Sequence, residues 1–145
     1  MKTQSLTELS SQLIEKIPYL KMLVLFGSRA RGDTHAKSDW DFAALYDDEL
    51  RKLHVKDNGF AWFEVPQKLG DFFEINSDII DVVELNQCSP LVGFYVARDG
   101  QLIHEKNQGE FVNFQLKAWK IYADTEKFRQ AQRESIDIWL KKWGV

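Results

Sequence analysis

The chain has 145 residues, 22 of them acidic and 19 basic, for a formal net charge of −3. That balance argues against a general nucleic-acid binder, which carries a basic face, and no apolar run approaches the ~20 residues of a membrane-spanning helix. Cys88 is the only cysteine and the three histidines are scattered, which excludes an intrachain disulfide and leaves structural zinc without paired ligands.

A reducing cytoplasm is therefore the expected compartment. The first residues lack the basic-then-apolar pattern of a secretory signal. The length fits a single domain, which buries roughly 70% of its unfolded surface.

In chain order, Leu6, Leu9, Leu13 and Ile17 recur at helical spacing and predict a helix over 5–17. The stretch 21–26, apolar from Met22 onward, reads as the first strand, and Gly27-Ser28 opens a short helix behind it. A polar loop over 33–38 leads to a second strand over 39–46. Acids and bases interleave over 47–58, as on a solvated helix or loop. In the aromatic stretch 60–73 a helix starts or kinks near Pro66, because proline suits a first turn and not an interior.

A third strand is expected over 79–85, apolar except for Asp81 and Glu84. Ser89-Pro90 has the form of an N-cap followed by proline at the first helical position. Asp99-Gly100 ends that helix ahead of a short strand over 101–104. From Phe111 to Trp143 a long helical stripe follows, with Asp124-Thr125 as its expected interruption, since both residues cap better than they extend. A second stripe, Val112, Leu116, Trp119 and Ala123, predicts that the first half is wedged between two surfaces. Trp139 and Trp143 are expected in the core, with a docking face for a second protein as the alternative.

The chemistry concentrates in the stretch MLVLFGSRARGDTHAKSDWDFAAL, from Met22 to Leu45. A Gly-Ser at a strand-to-helix turn can cradle phosphate oxygens, because helix N-terminal N–H groups point outward. After a gap of ten residues from Ser28 stand Asp39 and Asp41, which at i and i+2 on a strand share one face. Carboxylates so placed suit Mg2+, which is held by one or two carboxylates together with substrate phosphates. The plain alternative is a pair of solvated carboxylates; their mutual repulsion argues against it. Arg29 and Arg31 are candidates for a triphosphate or for a partner's acidic surface, against solvated arginines as the alternative. Trp40 faces the other way and should pack on a helix.

Gly-Ser, a ten-residue gap and Asp-x-Asp, in the wording GSRARGDTHAKSDWDF, resemble the signature of the polymerase beta-type nucleotidyltransferases. In particular they resemble the minimal nucleotidyltransferase (MNT) proteins that act as antitoxins to HEPN-domain toxins. The resemblance runs from about Leu20 to Asn86, with a weaker echo to Glu105. It implies an α/β (α+β) fold with a small mixed sheet flanked by helices. Residues 1–105 would form the nucleotidyltransferase core, and 106–145 a C-terminal helical extension packed on it.

The resemblance further implies that Asp39 and Asp41 ligate two Mg2+ ions and that Asp81, in DIIDVVELN, is the third carboxylate. Asp78 and Glu84 are weaker matches. Gly27 and Ser28, with Arg29 and Arg31, would hold the triphosphate of ATP. The implied activity is transfer of AMP to a tyrosine hydroxyl of a cognate HEPN ribonuclease toxin, which inactivates it. Two other readings stay open: a nucleotidyltransferase acting on a small-molecule hydroxyl, and an antitoxin that works by binding alone.

Overall fold

The computed structural model describes residues 6–32, 38–56 and 64–143. Four strands, β1 (Leu20–Phe26), β2 (Trp40–Tyr46), β3 (Ile80–Glu84) and β4 (Gln101–Glu105), form one sheet in the order β3-β2-β1-β4. β1 runs antiparallel to β2 and β4, whereas β2 and β3 are parallel, so the sheet is mixed as expected. The helices are α1 (Leu6–Lys16), α2 (Ser28–Arg31), α3 (Asp48–Val55), α4 (Glu64–Phe73), α5 (Pro90–Asp99), α6 (Glu110–Asp124) and α7 (Glu126–Lys142). Among the described residues no helix is long and apolar enough to cross a membrane.

Strand alternation sends two sets of side chains to two helical layers. On one face Leu23, Leu25, Phe42, Ala44 and Ile80 meet Leu13 of α1, Ile17 just after it, and Val65 and Leu69 of α4. On the other, Met22, Val24 and Ala43 meet Val96 of α5, with Val92, Phe111 and Phe114 packed around them. With both faces covered, β1 reads as an unbroken apolar run from Met22 to Phe26.

Local chemistry sets the element ends. The Ser89 hydroxyl accepts the Val92 N–H at 3.3 Å, and Pro90 opens α5 where a missing N–H costs nothing. The Asp47 carboxylate caps α3 by accepting from Glu49 N (3.1 Å) and Leu50 N (3.2 Å). α3 is the solvated helix of the charged stretch, except that Val55 and, against its charge, Arg51 are buried. The Arg51 guanidinium lies 4.3 Å from the Tyr46 ring centroid and 2.6 Å from Glu84 Oε1.

Two expectations for the C-terminal helices do not hold. The break falls at Thr125 as predicted. α6 packs on α5 through Ala118, stacks Tyr122 on Phe94 at 4.0 Å, and donates from Gln115 Nε2 to the Ala97 carbonyl at 3.0 Å. However, the stripe expected to be wedged is exposed: Val112 by 56%, Leu116 by 58% and Trp119 by 44%. Trp139 and Trp143 touch each other, with ring centroids 6.2 Å apart, but neither is in the core, and α7 has no buried residue. The reason is layering. α5 and one side of α6 already cover that sheet face, and no further described element lies over them.

Candidate active site

Gly27 ends β1 and opens α2, at φ +75° and ψ −156°, a conformation closed to side-chain-bearing residues. A Cβ there would collide with Oδ2 of Asp41 and lie 3.1 Å from its Cγ. The glycine is therefore required twice, once by its backbone and once by the carboxylate against it. Ser28 is the first residue of α2 and partly buried. The turn is closed by Arg31 N–H to Gly27 O (3.1 Å) and Gly32 N–H to Ser28 O (2.9 Å), with Gly32 left-handed at φ +84°.

Opposite this turn the sheet aligns carboxylates. Asp41 pairs with Phe26 on β1 and stands abreast of Asp81 on parallel β3. Phe42 and Ile80 belong to the α1/α4 face, so Asp41 and Asp81 point to the other one, and Asp39, two residues earlier, follows Asp41. Burial holds the Asp41 carboxyl above the usual carboxylate range, the charges of Asp81 and Asp39 add to that, and Arg31 opposes it. Glu84 faces away and pairs with Arg51, and Asp78 is exposed in the turn before β3.

An all-oxygen donor set of this kind is what a hard divalent cation takes. Repulsion among like-facing carboxylates is the strain that a cation relieves. Among the described residues no three His, Cys, Asp or Glu groups stand close enough to hold one ion.

The two arginines separate. Arg31 lies on the carboxylate side, where its charge acts on Asp41 and on Asp99 at the end of α5. Arg29 does not face the site as expected. Its guanidinium sits 4.1 Å from the Trp40 ring centroid and donates to the Ser38 carbonyl at 2.8 Å. Trp40 packs with the α1/α4 cluster, as its strand position predicted. Sequence reasoning also missed Gln101, whose Nε2 donates to the Ala30 carbonyl at 3.0 Å and ties α2 to β4. No motif marks such a contact between residues 71 positions apart. Asp33 and His35, in the loop between the turn and β2, lie outside the described residues.

A cavity of about 440 Å³ opens at the other end of the sheet, lined by Leu45, Leu85, Ser89, Phe114, Lys117 and Ile121. None of Gly27, Ser28, Asp39, Asp41 or Asp81 lines it. The Gly27 turn and the carboxylates lie at the opposite end of the sheet, outside that cavity.

A glycine-opened turn set against like-facing carboxylates on a mixed sheet is the constellation of a nucleotidyltransferase. The family model for Polymerase beta, Nucleotidyltransferase matches residues 8–109, and the chain belongs to that family. Within it the chain is similar to Protein adenylyltransferase MntA of Aphanizomenon flos-aquae (strain 2012/KM1/D3). The two are 50% identical over 140 residues, which cover 97% of this chain and 93% of that protein. A solved toxin–antitoxin structure with AMP-PNP superposes with a TM-score of 0.65 at 25% identity, covering 92% of this chain and 98% of the other. A solved complex of tri-AMPylated Shewanella oneidensis HEPN toxin with its MNT antitoxin gives a TM-score of 0.60 at 25% identity, covering 90% and 98%.

Proposed function

We propose that this chain is an antitoxin adenylyltransferase that moves AMP from ATP to a tyrosine hydroxyl of a HEPN-domain ribonuclease toxin in the cytoplasm. The observation that carries the reading is the apposition of Gly27 to Asp41, with Asp81 abreast on the same face. The similarity to a protein adenylyltransferase along nearly the whole chain supports the reaction, and the AMP-PNP and tri-AMPylated toxin complexes of its structural relatives support donor and acceptor. Residues 1–105 carry the transfer in this reading, and 106–145 are a helical extension of the same domain.

Asp39, Asp41 and Asp81 would hold two Mg2+ ions, which when bound offset the charge that develops on the α-phosphate and the leaving diphosphate. Gly27 lets the backbone approach the phosphates, and the Ser28 hydroxyl donates to a phosphate oxygen. Arg31 adds a positive charge on the same side. The acceptor oxygen attacks the α-phosphorus, the bond from that phosphorus to the oxygen bridging the β-phosphate breaks, and diphosphate leaves. The proton of the acceptor hydroxyl passes to the Asp81 carboxylate.

The test is intact-mass spectrometry of the HEPN protein encoded beside this chain, after incubation with this chain, Mg2+ and each of the four NTPs in turn. AMP-sized additions on tyrosine with ATP alone are expected. An unmodified toxin under saturating conditions would refute transfer. A stable complex in that case would favour neutralisation by binding, a reading that the exposed apolar stripe of α6 also suits.

A further inference from the structure

We propose that Arg29 and Trp40 form a clamp that fixes where Asp39 stands against the phosphate turn, so that Arg29 is a positioning residue and not a phosphate ligand. The metal-binding consequence rests on the site reading above. The contact itself does not.

Asp39 needs such a device. Asp41 is held in the ladder between Phe26 and Asp81, whereas Asp39 precedes the first paired residue of β2. The backbone just before Asp39 is held by the Arg29 guanidinium, which donates to the Ser38 carbonyl at 2.8 Å. That carbonyl belongs to the peptide unit that carries the Asp39 N–H. The same guanidinium lies over the Trp40 ring at 4.1 Å.

Trp40 is itself anchored: it stacks with Phe42 at 6.3 Å, and Phe42 stacks with Phe73 of α4 at 5.6 Å. Arg29 Nε is buried with no hydrogen-bond partner among the described residues, and the residue as a whole is only partly exposed. Its contact with Trp40 is on the α1/α4 side of the sheet, and the carboxylates point to the other side. Since Arg29 follows Ser28 directly, the clamp joins the phosphate turn to the aspartate strand across the neck of the loop between them.

The experiment is a double-mutant cycle on the full chain: wild type, Arg29→Ala, Trp40→Leu and both together, with Trp40→Phe as the conservative control. Mn2+ affinity by calorimetry and the melting midpoint are measured on each. Each single change is expected to weaken Mn2+ binding about tenfold, the scale of one well-placed cation–π contact. The double variant should bind no more weakly than the singles, and Trp40→Phe should stay near wild type. Melting shifts should likewise fail to add.

Additive effects on Mn2+ affinity or on melting overturn the clamp. So does an Arg29→Ala protein that keeps Mn2+ affinity but loses affinity for AMP-PNP, because that is the behaviour of a phosphate ligand. A wild-type chain that binds no Mn2+ refutes the metal-site reading instead. The melting cycle then decides the clamp, non-additive shifts supporting it and additive ones overturning it.

Discussion

Gly27→Ala tests two separable effects at once. The residue sits at φ +75°, ψ −156°, where a Cβ costs roughly 1–3 kcal/mol of backbone strain. Independently, the new methyl meets Asp41, with Cγ at 3.1 Å where ordinary contacts begin at 3.4 Å, and with Oδ2 nearer still. Asp41 must therefore swing away from the turn. Strain alone should lower the melting temperature by about 3–10 °C in a chain of this size. Displacing a catalytic group by ~1 Å costs on the order of 10²-fold in rate. The assay pairs thermal melting with the initial rate of AMP incorporation. Gly27→Ala/Asp41→Ala then separates the effects, because without the carboxylate the collision vanishes and the strain stays. The double variant should melt higher than additivity from the two singles allows. If Gly27→Ala keeps both the wild-type melting temperature and the wild-type rate, the argument from backbone and contact is wrong.

Asp39→Asn/Asp41→Asn should abolish transfer while complex formation with the toxin persists; unchanged toxin neutralisation would mean binding suffices. The same variant should be more stable without metal at pH 7. Asp41 has a raised carboxyl in the folded chain, so its ionisation opposes folding once pH has risen past the usual carboxylate range. Mg2+ should raise the wild-type melting temperature and leave the variant unmoved, as mass action requires of a site that has been removed. His104 is fully buried, neither ring nitrogen has a well-formed hydrogen bond among the described residues, and burial pushes its pKa below 6.5. Its contribution to stability is complete above that value and is lost as pH falls below it, by up to about 1.4 kcal/mol per pH unit. Urea midpoints from pH 8 to 5 should show this slope, and His104→Phe should flatten it. Trp139→Ala and Trp143→Ala should each cost under about 1 kcal/mol in denaturant titrations, against 3–5 for a core tryptophan; a core-sized loss would contradict their exposure of 58% and 63%.

The elements that were legible in the sequence are those whose signals are local. Ser89-Pro90, the Thr125 break and the placement of β1, β2 and β3 follow from caps, proline and alternation within a few residues. The like-facing aspartates followed from strand periodicity alone. The seat of Arg29 was not legible because a basic residue beside a Gly-Ser turn suits both a ligand and a strut, and its contacts with Trp40 and Ser38 are made only by the fold. The exposed faces of α6 and α7 were misread for a related reason: a 3.6-residue stripe states that a face is apolar, and only the tally of available layers states whether anything covers it.

The alternation that builds the core also aims the site. On β3, Ile80 and Val82 pack into the α1/α4 cluster, which leaves Asp81 no choice but the opposite face, beside Asp41 in the parallel register. A slip of one residue would bury the Asp81 carboxylate among leucines and expose two branched apolar side chains. At roughly 1.5–3 kcal/mol for each side chain of that kind, together with an unpaired buried charge, such a slip is strongly disfavoured. β2 is fixed in the same way by Phe42 and Ala44, which leave Asp41 on the opposite face. Asp41 and Asp81 are therefore held side by side by apolar packing behind them, despite their repulsion. A site assembled so can tolerate a raised Asp41 because the cost is carried by the core and not by the loop in front of it.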